Sequence, residues 1–80
     1  MFVNFRDQER LAKVRRLIAS GQAKELRIAG GLSLSEAGAP VPADASTVWR
    51  WENGKRMPRS DAALRYLRVL EMLEQIRVAS

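Results

Sequence analysis

Between Gly30 and Pro58 this chain can hold only short helices, because the sequence supplies a stop every few residues. Gly30-Gly31 halts the helical pattern before it. Pro40 and Pro42 cannot continue a helix, and they also restrict the residues ahead of them. Gly54 suits a left-handed helix end. Starts are marked too. Ser33 and Glu36 stand at the S-x-x-E spacing of a capping box, with Leu32 just outside as half of a hydrophobic staple. Asp44 can accept hydrogen bonds from the first free N–H groups of a helix over about 45–53. The prediction is a brief helix after Ser33, a turn over 39–43, and a second short helix capped by Asp44. Gly38 is small enough to let that second helix approach closely.

Longer helical patterns flank this pair. From Arg6 to about Ser20, Leu11, Val14, Leu17 and Ile18 recur at helical spacing, with Arg10, Lys13, Arg15 and Arg16 on the other faces. Ser20-Gly21 interrupts, and the pattern resumes over 22–29 with Ala23 and Leu26 inward. Ser60-Asp61 is expected to cap a final helix running to about Val78. Ala63, Leu64, Leu67, Leu70, Leu73 and Ile76 make most of its apolar face, with Tyr66 and Val69 adjoining. Met1 to Phe5 reads as an extended lead in which Phe2 and Phe5 cover the edge of the core. Alternating patterns are missing and β-branched residues are few, so no strand is expected. The pattern reading is an all-α chain of four or five helices, in which the two short ones joined by a turn are what a helix-turn-helix requires.

Eighty residues make one domain, over 1–80, near the lower size at which one core suffices. The chain has no cysteine and no histidine, which removes disulfides, Cys/His zinc sites, Ser-His-Asp triads and thiol catalysis. Glu36, Asp44 and Glu52 are explained by caps and charge balance, so no enzyme and no cofactor are expected. A net charge of +5 favours a polyanionic partner. Between Arg50 and Arg68 lie six cations against two anions. No apolar run reaches the roughly 20 residues that span a bilayer. Asp7 and Glu9 sit where a signal peptide needs an apolar stretch, so export is not expected and a cytoplasmic protein is.

A short capped helix with a small polar outer face, followed by a basic loop tied down by Pro58, suits the major groove of DNA. Gly31 to Pro58, GLSLSEAGAPVPADASTVWRWENGKRMP, resembles the Xre/Cro-type helix-turn-helix family, the lambda-repressor-like domains. The resemblance rests on Gly31-Leu32-Ser33, on Ser46-Thr47-Val48-Trp49-Arg50, and on Glu52 to Pro58, ENGKRMP. It reaches back to Ala23 and forward to Leu70, about sixty per cent of the chain. It implies an all-α, compact bundle of about five helices containing a helix-turn-helix, to which the N-terminal helix over 6–20 is additional. It also implies sequence-specific binding to double-stranded DNA and transcriptional regulation in phages, plasmids or bacterial chromosomes, hence in the cytoplasm of a bacterium or of a phage's host. Three positions depart from the family pattern. Leu34 stands where Gln is common, Val41-Pro42 where a Leu-Gly pair is usual, and Trp49 where a small polar residue often faces DNA.

The expected base readers are Ala45, Ser46, Thr47, Trp49 and Arg50, on the outer face and first turns of the 45–53 helix. Arg50 lies at i+4 from Ser46 and shares its face; pairing with Glu52 or Asp44 is its bland alternative. Trp49 is divided between DNA contact and covering the seam with the last helix, whereas Trp51 is core. Asn53, Lys55, Arg56 and Arg59 are the expected phosphate contacts, which fix register without reading sequence. Asn53 has the alternative of serving only at the helix end. Leu73, Ile76 and Met72 either pack on the N-terminal helix or form the seam of a homodimer, including one formed only on DNA. The expected function is an operator-binding regulator, Cro-like or a small bacterial repressor. The competing expectation is a protein-interaction module, such as an antitoxin or accessory factor, using its apolar terminal helices.

Overall fold

A computed structural model describes residues 4–79, and these form five helices with no strand among them. The first, α1 (Phe5–Ala19), starts one residue before the expected Arg6, because Asn4 caps it. The Asn4 side chain accepts from the Asp7 backbone N–H at 2.8 Å. Leu11, Val14, Leu17 and Ile18 form its buried stripe, as the spacing predicts. Phe5 does not cover the core: it is 90% exposed. It lies nine residues before Val14, and at about 100° per residue that puts it half a turn away from the buried stripe. Phe2 lies outside the described residues.

Ser20 closes α1, and Gly21 (φ 82°) redirects the chain in the left-handed region that glycine adopts without steric cost. Helix α2 (Gln22–Ala29) then buries Ala23 and Leu26. Helix α3 (Leu34–Gly38) carries the complete capping box: the Glu36 N–H donates to Ser33 Oγ at 3.0 Å, and the Ser33 N–H donates to Glu36 Oε1 at 2.8 Å. The turn to the next helix folds back on Gly38, whose carbonyl accepts from the N–H groups of both Val41 and Ala43. Val41 is buried, and its bond to Pro42 is cis. Helix α4 (Ala45–Glu52) is capped by Asp44 as expected, and Asn53 is its C-cap rather than its last helical residue.

The last helix, α5 (Ser60–Ala79), begins at Ser60 itself, so Ser60 is the first helical residue and not the one before it. The Arg59 carbonyl accepts the first helical bond, from Ala63 at 3.2 Å. α5 is the post around which the others gather. It packs against α1, α2 and α3, and its buried residues are Ala63, Tyr66, Leu67, Val69, Leu70 and Leu73. Val48 and Trp51 bring α4 into the same core, where the Trp51 and Tyr66 rings meet at 4.9 Å and 49°. Glu71 takes Arg10 and Lys13 from α1, and Glu74 takes Lys13. Leu73 thus belongs to the intramolecular core, but Ile76, expected on the apolar face, is 52% exposed, and Met72 is exposed beside it.

Gly38 sets the α3–α4 distance. A Cβ there would collide with the Ala43 carbonyl oxygen and stand 2.8 Å from Val48 Cγ2. Only a residue without a side chain lets the turn and α4 close this tightly on α3.

Candidate nucleic-acid interface

Two stripes of α4 lie on opposite sides of one ridge. Val48 and Trp51 are buried and fix the helix to the core. Trp49, two residues before Trp51, is turned about 200° from it and is 48% exposed. Trp49 lines a shallow hollow with Ala45, Ser46, Arg50 and Leu34 of α3. No residue of α5 lines that hollow, so the exposed side of Trp49 faces α3 and the start of its own helix. Four of the five expected base readers are therefore brought together, and Leu34, the departure from the family pattern, packs among them.

Thr47 is not with them. It is half-buried and faces the other flank, where with Trp51 it lines a larger hollow of about 670 Å³. The loop after α4 supplies Arg56, Met57, Pro58 and Arg59 to this hollow, and α1 supplies Arg15. Its three charged lining groups are all cations. Among the described residues none of the three is in an ion pair. Sequence periodicity places Arg15 only on a polar face of α1, and gives no signal that this face meets the loop after α4.

The loop is held to the helix end by backbone bonds. The N–H groups of Lys55 and Arg56 both donate to the Arg50 carbonyl, at 2.8 and 3.3 Å, and Gly54 (φ 68°) makes the reversal. Arg56 and Arg59 share the hollow, while Lys55 is exposed outside its lining. Asn53 turns back on the helix: its Nδ2 donates to the Trp49 carbonyl at 2.9 Å, which gives its side chain a helix-end task.

Electrostatics leave Arg50 free to act outward. Glu52, one of its two expected partners, belongs to Arg27 of α2, whose Nε and Nη2 reach its two carboxylate oxygens at 2.5 and 3.0 Å. Hydrogen bonding to Glu52 raises the Arg27 pKa against the opposing effect of burial. Asp44 accepts from the Thr47 N–H at 2.8 Å. Hydrogen bonds from the Thr47 side chain and backbone hold its carboxyl below the ordinary value, and the nearby Arg50 charge adds a smaller effect. Asp44 is thus a cap, as expected.

A family model described as a helix-turn-helix domain matches residues 19–78, three-quarters of the chain. The chain belongs to the helix-turn-helix domain family. Within this helix-turn-helix domain α3 and α4 are the motif's helix pair, and α5 is the support behind it. All of α1 except Ala19 precedes the matched residues, which makes it the additional N-terminal helix. No curated protein and no solved structure matches the chain. No helix among the described residues is long and apolar enough to cross a membrane.

Proposed function

We propose that this helix-turn-helix protein is a sequence-specific regulator of transcription that binds double-stranded DNA by inserting α4 into the major groove. One observation carries the reading: α4 is anchored by Val48 and Trp51, and its ridge, with Ser46, Trp49 and Arg50 exposed and Ala45 half-buried, stands beside a hollow whose charged groups are all cations. On an inserted helix, Arg50 is placed for a bidentate pair with guanine, and Ser46 can donate or accept. Ala45 and the Trp49 edge are apolar partners for a thymine methyl group. Thr47 sits at the border between readers and clamp. Arg56 and Arg59 neutralise phosphates along one wall of the groove, with Lys55 and the second Asn53 amide hydrogen beyond them.

The protein is non-enzymatic in this reading, since Glu36 and Asp44 are committed to caps and Glu52 to Arg27. Within the family the sequence pattern of Gly31 to Pro58 supports the Xre/Cro type, and with it a Cro-like or small bacterial repressor in the cytoplasm. A palindromic operator bound by a homodimer, formed in solution or on DNA, fits that type. The exposed Met72 and Ile76 of α5 favour the second reading, a module that binds another protein.

Titration of a random duplex pool, followed by selection of the bound sequences, tests the proposal. It predicts saturable binding that weakens steeply with salt and a recovered consensus whose symmetry reports the oligomeric state. Absence of saturable, salt-sensitive binding overturns it in favour of the protein-interaction reading.

A further inference from the structure

The cations of α1 divide into two sets. Arg10 and Lys13 are spent on α5, where they pair with Glu71 and Glu74 at 3.2–3.5 Å. Arg16 faces the same side, lining a hollow with Glu9 and Glu71. Arg15 lies two residues from Lys13, about 200° round the helix, and no acid among the described residues pairs with it. Its side chain instead enters the hollow beside Thr47, Arg56 and Arg59. Three cations from two distant parts of the chain therefore converge on the flank of α4, with no counter-charge in the lining.

We infer that Arg15 is a backbone-phosphate contact supplied by α1, a helix preceding the family-matched residues, and that it extends the clamp of Arg56 and Arg59 along the same DNA strand. The inference rests on α4 entering the major groove, because that insertion brings one phosphate wall against the Thr47 flank. Arg15 stands on the flank and not on the ridge, so it reaches phosphate and not base edges. It anchors register and affinity without changing which sequence is preferred. The additional helix then has two tasks, completing the core through Leu11, Val14, Leu17 and Ile18 and widening the electrostatic footprint through Arg15.

The experiment compares the full chain with Arg15→Gln, Arg15→Lys, Arg16→Gln and Arg56→Gln, titrating specific and random duplex over a range of salt. Each phosphate contact contributes about 0.9 to the slope of log affinity against log salt. Arg15→Gln is expected to lose about that much slope, equally on both duplexes, and Arg15→Lys to keep it. Arg16→Gln, on the other face, should leave the slope unchanged. If Arg15→Gln keeps the parental slope while Arg56→Gln lowers it, the Arg15 inference is overturned and the DNA reading survives. If Arg15→Gln and Arg16→Gln lose slope alike, the contact is general helix charge and the inference also fails. A parental protein with no salt-sensitive binding overturns the underlying reading instead.

Discussion

Arg27 on α2 holds Glu52 at the end of α4 through two nitrogens, and Nη1 of the same guanidinium donates to the Leu32 carbonyl at 3.0 Å. One side chain thus ties α2, the loop before α3 and the end of α4. The Glu52 side chain is 1% exposed and that of Arg27 13%, so neither charge is well hydrated. Removing one partner leaves the other buried and uncompensated. Arg27→Ala should cost about 3 kcal/mol in urea unfolding, whereas an Arg27→Met, Glu52→Leu double variant should recover most of that loss. A loss below about 1 kcal/mol in the single variant would show that the pair behaves as a surface ion pair.

The Tyr66 ring packs against Trp51 at a tilt of 49° inside the core, but its hydroxyl is buried with no hydrogen-bond partner among the described residues. Burial, and secondarily the charge of Glu52, push its pKa well above the ordinary tyrosine value. A buried hydroxyl left unsatisfied costs about 1–3 kcal/mol, so the ring is expected to supply the stabilisation and the oxygen to oppose it. Tyr66→Phe should raise the melting temperature by several degrees, since about 1 kcal/mol corresponds to about 4–8 °C in a domain of this size. A drop in melting temperature would mean that the hydroxyl has a partner.

What was legible in the sequence was local. Ser33, Glu36 and Asp44 were readable as caps because each capping bond spans three residues, and the helix stops are single-residue properties of Gly and Pro. Periodicity also gives the buried stripe of α1 and most of that of α5, where Leu64 is only half-buried and Ile76 is exposed. Long-range partners are not readable: Arg27 and Glu52 are 25 residues apart, and Arg15 and Arg56 line one hollow from distant parts of the chain. Phe5 was misread because a hydrophobic residue before a helical pattern suggests cover for the core. The Asn4 cap instead winds it onto the far side of α1. Likewise, Ser46 and Thr47 are neighbours in sequence, yet the helix sends them to different flanks of α4.

Replacing Gly38 tests how tightly α3 and α4 must close. An added methyl meets the Ala43 carbonyl and Val48 Cγ2, one a backbone atom and the other part of a fully buried side chain, so neither can give way easily. Gly38→Ala should destabilise by about 1–3 kcal/mol in spite of its better helix propensity, measured by thermal or urea unfolding. It should also weaken DNA binding at temperatures where the variant remains folded, because the turn that aims α4 is displaced.

Acid should loosen the two helices of the motif. Hydrogen bonds from Ser33 hold the Glu36 carboxyl below its ordinary 4.5, and those from Thr47 hold Asp44 below 3.8. For carboxyls depressed in the folded state, the stability they contribute is complete above those ordinary values. It is lost as pH falls through the lowered folded values. Melting temperature should therefore fall as pH is taken from about 6 to about 3, and Glu36→Gln and Asp44→Asn should each flatten that fall. Variants that keep the full acid dependence would assign it to other carboxylates.

The division of labour around α4 predicts two different kinds of loss. Arg50 stands on the ridge with Ser46 and Trp49, while Glu52 pairs with Arg27 and Asp44 caps the helix through Thr47. Arg56 stands in the flanking hollow. Arg50→Ala should remove preference for the selected sequence, lowering discrimination by about 1–3 kcal/mol at the base it reads, with a smaller effect on random DNA. Arg56→Ala should weaken specific and random duplex alike and flatten the salt dependence. Competition titrations of the two variants against both duplexes measure the difference. Equal losses on both duplexes for both variants would mean that Arg50 is another phosphate contact, and the reading of sequence would then fall to Ser46 and Trp49.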